Sequence, residues 1–544
     1  MKQENIFSSR WSAALLVIAS LIFSACGDTA KTGLKLNDDL ARTPQTTQEY
    51  TYAANTSANA ASGMLYESES RSGVGERYAE FTENPFLETS RAPLSTFSID
   101  VDTAAYANVR RFLNDGQLPP KDAVRIEEMI NYFDYEYPQP AGGLPFSVHT
   151  EVATSPWNST NKLMKIGLQG RKVSLDNTPP ANLVFLLDVS GSMNAPNKLP
   201  LLKEGLRIMV DQLKPQDRVA IAVYAGSSGL VLPSTPVSQK GVIIAALNEL
   251  EAGGATNGGQ GIQLAYSVAA KNFIRGGNNR VILATDGDFN VGATSDESLV
   301  QMVEEKRKGG VFLSVLGFGS GNLNDSMMEK LSNKGNGNYA YIDSRDEARR
   351  ALGEQVAGTL YTIAKDVKIQ VEFNPALVAG YRLIGYENRM LADRDFNDDT
   401  KDAGEIGAGH SVTALYEIVP AGHVVDNGGI ELKYSKVEAT GTRFGDEMAT
   451  VKLRYKDPDD AESKLLSIGV LTNERAAADA SADLRFAAAV AQFGMLLTDS
   501  RYKGSASFRS ARQLAQSSIA GDAREKRAEL LSLIDRAASL NRRG

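Results

Sequence analysis

The residues best placed to do chemistry lie in Leu183-Val-Phe-Leu-Leu-Asp188-Val-Ser190-Gly-Ser192-Met193, an apolar run that stops abruptly at one carboxylate and two hydroxyls. Such a run reads as a strand buried on both faces of a parallel sheet. Side chains just past the carboxyl end of such a strand face the crevice where open α/β sheets bind ligands. Gly191 lets the backbone bend between the donors. An all-oxygen set suits a hard cation such as Mg2+ and holds nothing soft for zinc or copper.

Two later stretches complete the idea. Gly253-Gly-Ala-Thr256-Asn-Gly-Gly-Gln-Gly261 is a glycine-rich loop with one hydroxyl donor, and Arg280-Val-Ile-Leu-Ala-Thr-Asp286-Gly287 is a second apolar strand ending in a carboxylate. The glycine-rich loop lacks the Lys-Ser/Thr ending of a phosphate-binding loop, so no nucleotide is expected. Asp188, Ser190 and Ser192 could instead cap the next helix, since Ser and Asp are favoured caps. Agreement among three separated segments favours the metal shell.

The elements around these residues alternate strand and helix from about 180 to 361, with strands near 183, 218, 280, 312 and 338. That pattern implies a parallel-dominated sheet with helices on both faces, with Leu230-Val-Leu232 as an antiparallel edge. Turn-bounded strands at 366–373, 381–386, 411–418, 429–434 and 448–455 suggest a β-sandwich, which strands between 146 and 169 are expected to join. Phe97, Ile99 and Val101 alternate as a strand, 104–114 reads as a helix, and 118–133 as a proline-started helix. Asp100 and Asp102 echo the central motif, but no hydroxyl follows at the right place, so a turn or cap is preferred to a second metal site. Phe486, Val490, Phe493 and Leu497 begin a helical C-terminal region.

Asp188-x-Ser190-x-Ser192, Thr256 and Asp286-Gly287 resemble the metal-ion-dependent adhesion site of von Willebrand factor A (VWA) domains. Asn182-Leu-Val-Phe-Leu-Leu-Asp188, Asn279 to Gly292 and Gly335 to Asp343 are similar to bacterial VWA lipoproteins of the YfbK type. The resemblance implies a Rossmann-like domain in which the two serines and Thr256 touch the metal and Asp188 and Asp286 act through waters. The ion would be Mg2+, or Mn2+ or Ca2+ in its place. A protein partner's Asp or Glu carboxylate would take the open position.

The chain has 544 residues, 42% hydrophobic and 23% charged, with a net charge of −8. This is a globular composition long enough for several domains, and its sign argues against nucleic acid. Only three histidines, His149, His410 and His423, are present, none in the VWA segment, so a Ser-His-Asp triad on Ser190 is disfavoured and no enzyme is expected. The single cysteine, Cys26, follows Lys2, Arg10 and an apolar run from Trp11 to Ala25. That order reads as an export signal, with an uncleaved anchor helix as the alternative. Phe23-Ser-Ala-Cys26-Gly27 resembles a lipobox, with Phe23 where leucine is usual. The resemblance implies lipidation at Cys26, a membrane-anchored envelope protein and, with Gly27 rather than aspartate following, the outer membrane. The expected organisation is 1–26 signal and lipobox, 27–92 tether, 93–177 VWA-associated α+β region, 178–363 VWA domain, 364–470 β-sandwich and 471–544 helical region. The expected function is partner binding through the metal site. The alternative is an envelope scaffold with a vestigial site, and a hydrolase ranks below both.

Overall fold

The computed structural model describes residues 75–542, except 226, 255–257, 288–294, 427–444, 459, 474 and 520–524. Cys26, the leader, the tether up to residue 74, Thr256 and the strand expected at 429–434 lie outside the described residues.

The chain opens with β1 (Leu87–Glu88), β2 (Leu94–Ser98), α1 (Ala104–Asn114), α2 (Ile126–Asn131), β3 (Phe146–Thr154) and β4 (Lys162–Gly170). An α/β segment follows. It runs β5 (Ala181–Asp188), α3 (Leu199–Gln212), β6 (Arg218–Tyr224), β7 (Ser228–Pro236), α4 (Lys240–Asn248), α5 (Gly258–Lys271) and β8 (Asn278–Thr285). It continues through α6 (Asp296–Lys308), β9 (Val311–Phe318), α7 (Asp325–Lys334), β10 (Tyr339–Ile342), α8 (Arg345–Arg349) and α9 (Val356–Leu360). The chain then returns to antiparallel strands β11 (Thr362–Phe373), β12 (Val378–Ile384), β13 (Gly404–Gly407), β14 (Ser411–Pro420), β15 (Glu447–Lys456) and β16 (Lys464–Leu471). It closes with α10 (Ala482–Leu497), α11 (Phe508–Gln516) and α12 (Lys526–Asn541).

The α/β segment forms a six-stranded sheet ordered β10-β9-β8-β5-β6-β7, parallel except for β7. Strand β5 is buried along its whole length because both faces are covered. Leu183, Phe185 and Leu187 join the cluster that holds Leu202, Leu206 and Met209 of α3, while Val184 and Leu186 join that of Ile262, Ala265 and Tyr266 of α5. This is the two-residue alternation of a strand, filled with apolar residues on both sides. From β5 the chain first steps to β6 on one side, then to β8 on the other. The strand order therefore reverses at β5, and a crevice opens beyond its carboxyl end.

The remaining strands make two antiparallel sheets, β1-β12-β14-β4-β3 and β13-β11-β15-β16, with β2 also on β11. Eight residues of β4 pair with β14, from Lys162 opposite Ile418 to Gln169 opposite Ser411. The segments before and after the α/β domain thus share one sheet, and that domain is an insertion entered after β4 and left before β11. Phe373 stacks on Tyr381 with ring centroids 4.0 Å apart in the interior. Helices α10 to α12 cover the outer face of this unit together with α1 and α2, burying Trp157, Leu163, Leu415, Phe486 and Phe493.

The helix expected across 118–133 is divided. A 3-10 turn at Lys121–Ala123 ends at Val124, whose φ and ψ of −105° and 85° are not helical, and α2 starts only at Ile126. The break lies beside Arg125, whose guanidinium reaches Asp325 of α7 at 2.6 Å and also pairs with Glu128. Asp100 and Asp102 belong to the same buried junction. The Asp102 amide donates to Asp100 at 2.9 Å as a turn, and Arg389 holds both carboxylates at 3.0 and 3.3 Å and approaches Glu329 at 3.5 Å. Five carboxylates therefore meet two guanidinium groups where the inserted domain rests on the rest of the chain. Burial, together with Asp100 and Glu329 and against the pull of Arg125, pushes Glu128 up to about 7.

Candidate metal centre

At the end of β5 the Asp188 carboxylate is fully buried and accepts a 2.8 Å hydrogen bond from the Ser190 amide. That bond, with a 3-10 turn over Gly191–Asn194 closed from Met193 to the Ser190 carbonyl, points both serines toward the crevice. The turn is anchored by Met193, which is fully buried, while Ser192 is exposed. The two hydroxyl oxygens lie 3.0 Å apart. Two backbone bonds stitch the glycine-rich loop to this turn, Gly253 N–H to the Val189 carbonyl at 2.7 Å and Gly191 N–H to the Gly254 carbonyl at 3.0 Å. Its base is therefore held beside the serines, though Thr256 itself is outside the described residues.

Asp286 follows β8, the neighbour of β5, so the two carboxylates project from adjacent strand ends. The Thr285 hydroxyl lies 3.3 Å from Asp188 and accepts from the Gly287 amide at 3.1 Å. Gly287 has a φ of +100°, and a Cβ there would lie 2.4 Å from the Asn324 backbone nitrogen. Only glycine fits this close approach, which turns the chain away directly after Asp286.

Lys198, just before α3, was not among the residues singled out from the sequence. Its ammonium donates to Asp286 at 2.8 Å and lies 3.4 Å from the Asn322 side-chain oxygen. Burial works to raise the Asp286 carboxyl, but hydrogen bonds from Lys198, Ser192 and Asn322 outweigh it and hold the group below the usual range. Asp188 differs. Burial, opposed by bonds from Ser190 and reinforced by the charge of Asp286, pushes it up to about 6.

A raised, buried carboxylate beside a second one is a place short of positive charge, and converging hydroxyls provide neutral oxygens around it. The donor set fits a hard divalent cation, with Asp188, Ser190, Ser192 and Asp286 as the described residues that would hold it. Among the described residues, no group of three or more His, Cys, Asp or Glu is disposed to bind a metal. Two carboxylates supplemented by hydroxyls are a different kind of site. His149 stacks on Tyr137, and His410 packs against Gly358; neither contact involves Ser190.

A six-stranded sheet with this oxygen cluster at its switch point defines a VWA-type domain, and residues 182–355 match the von Willebrand factor type A domain family. Residues 73–165 match a family described as von Willebrand factor, and residues 358–540 one described as the C-terminal part of uncharacterized protein YfbK. The chain is 43% identical over 475 residues to uncharacterized protein YfbK of Escherichia coli (strain K12), covering 84% of this chain and 80% of that protein. It belongs to the YfbK family of VWA proteins. Inter-alpha-trypsin inhibitor heavy chain H3 of Pongo abelii is 27% identical over 261 residues, 44% of this chain and 29% of that one. Among solved structures, a von Willebrand factor type A protein from Catenulispora acidiphila aligns with a TM-score of 0.41 and 15% identity, covering 71% of this chain and 90% of that chain.

Proposed function

We propose that this protein binds a protein partner through a divalent cation, Mg2+ or in its place Mn2+ or Ca2+, held at Asp188, Ser190, Ser192, Thr256 and Asp286. The observation that carries the reading is the convergence of a buried, charge-deficient Asp188 with two hydroxyls 3.0 Å apart at the strand-order reversal. A cation bound largely by neutral hydroxyls supplies an electrophilic centre that a partner's Asp or Glu can complete. The chain's own part is to fix the serines through the Asp188 bond and the buried Met193. The role proposed for the site is binding rather than catalysis. We further propose lipidation at Cys26 and an envelope location, anchored in the outer membrane. Among the described residues no helix is long and apolar enough to cross a membrane.

A second reading, an envelope scaffold with a vestigial metal site, is favoured by one observation. Lys198 already gives Asp286 a cation. Retention of solubilised envelope proteins on the immobilised full chain separates the two. The metal reading predicts proteins retained with Mg2+ and released by chelator, and not retained by Asp188→Ala. Identical retention with chelator and with Asp188→Ala would leave the scaffold.

A further inference from the structure

The position of Lys198 is built rather than incidental. Its backbone carbonyl accepts the Leu202 amide at 2.8 Å as α3 begins, and its side chain is buried although it carries a charge. The stem runs across Gly319, just beyond β9, where a Cβ would lie 2.2 Å from the lysine Cε, 2.6 Å from Cγ and 2.8 Å from Cδ. Gly319 also has a φ of +73°. A glycine thus clears the groove along which the ammonium reaches Asp286, 88 residues away in the chain.

We infer that Lys198 is a built-in counter-cation that holds Asp286 and sets the charge of the metal centre, weakening the metal on its own and favouring a carboxylate ligand once the metal is bound. This rests on the metal reading above. Asp188 and Asp286 with one ammonium carry one net negative charge. A divalent cation reverses this to one net positive charge, which a partner's carboxylate then neutralises. Without Lys198 the two carboxylates would match the divalent ion by themselves, so the ion would be held tightly with no charge left to attract a ligand. Lys198 is a positioning and tuning residue, acting through Asp286.

The test compares Mn2+ titrations, by calorimetry and by electron paramagnetic resonance of the bound ion, into the full chain and its Lys198→Met and Lys198→Arg variants. Lys198→Met keeps the apolar stem and removes the charge; Mn2+ binding is expected to tighten by about tenfold or more. Lys198→Met is also expected to unfold at a lower temperature without metal and to recover with Mn2+. Lys198→Arg keeps the charge and is expected to stay within about threefold of the parent, as the charge argument requires. Equal or weaker Mn2+ binding in Lys198→Met than in a binding parent overturns the role of Lys198 and leaves the metal reading intact, as does a tenfold gain in Lys198→Arg. No binding in either the parent or Lys198→Met overturns the metal reading itself. Binding seen only in Lys198→Met is the extreme form of the expected result. Should Lys198→Met not fold, Lys198→Gln carries the same comparison.

Discussion

Two regions of this protein gather buried carboxylates, and they do so for opposite ends. At the junction beneath the inserted domain, Arg125 and Arg389 thread among Asp100, Asp102, Glu128, Asp325 and Glu329, and each of these carboxylates has a guanidinium within 4 Å. At the crevice, Asp188 is held among the described residues by the Ser190 amide and the Thr285 hydroxyl, and the Lys198 ammonium is taken by Asp286. Planar guanidinium groups lock carboxylates into fixed, directional pairs. Hydroxyls leave them open to a further cation. Acid residues alone therefore do not mark a metal site; what distinguishes the two regions is which partner already holds them.

Arg125→Met should break this comparison most severely. It removes one of two cations from a buried group of five carboxylates, and uncompensated buried charge typically costs about 3–5 kcal/mol. Urea unfolding is expected to show that loss, while Mn2+ affinity at the crevice changes by less than about threefold. A loss below about 1 kcal/mol would mean that the junction relaxes without its arginine.

Acidity sharpens the same contrast. Asp188 rises to about 6 and Glu128 to about 7 in the folded chain, both above their unfolded values of 3.8 and 4.5. A raised folded value means that the folded state binds more protons. The associated stability is full below the unfolded value and is lost as pH rises through about 6 for Asp188 and about 7 for Glu128, on the order of 3 kcal/mol each. Asp188→Asn should remove the lower part of this dependence and Glu128→Gln the upper part. Saturating Mg2+ should flatten only the lower part. Chemical denaturation between pH 4 and 8 checks this; a metal-insensitive profile in the parent would contradict the assignment of Asp188 to the cation.

The part of the fold and site that is legible in the sequence is the part encoded locally. The run 183–188 announces a doubly covered strand because five consecutive apolar residues, Leu183 to Leu187, leave no polar face, and Asp188, Ser190 and Ser192 follow within one turn. Asp286 is recognisable for the same reason, at the end of a similar run. Lys198 was not, because a lysine before a helix ordinarily reads as solvated, and only the fold brings it to an aspartate 88 positions later. The junction was hidden likewise: Arg125 and Asp325 are 200 residues apart, and the expected helix at 118–133 gave no sign that it breaks beside Arg125. The short strand β13, Gly404–Gly407, has two glycines in four residues and carries no strand signal of its own.

The central claim is most directly tested by titrating Mg2+ and Mn2+ calorimetrically into the full chain and into Asp188→Ala. The account predicts saturable binding in the parent, none in Asp188→Ala, and no loss of stability in that variant without metal at about pH 7, because a buried, charge-deficient carboxylate has been removed. Equal binding in both proteins, or none in either the parent or Lys198→Met, would contradict it.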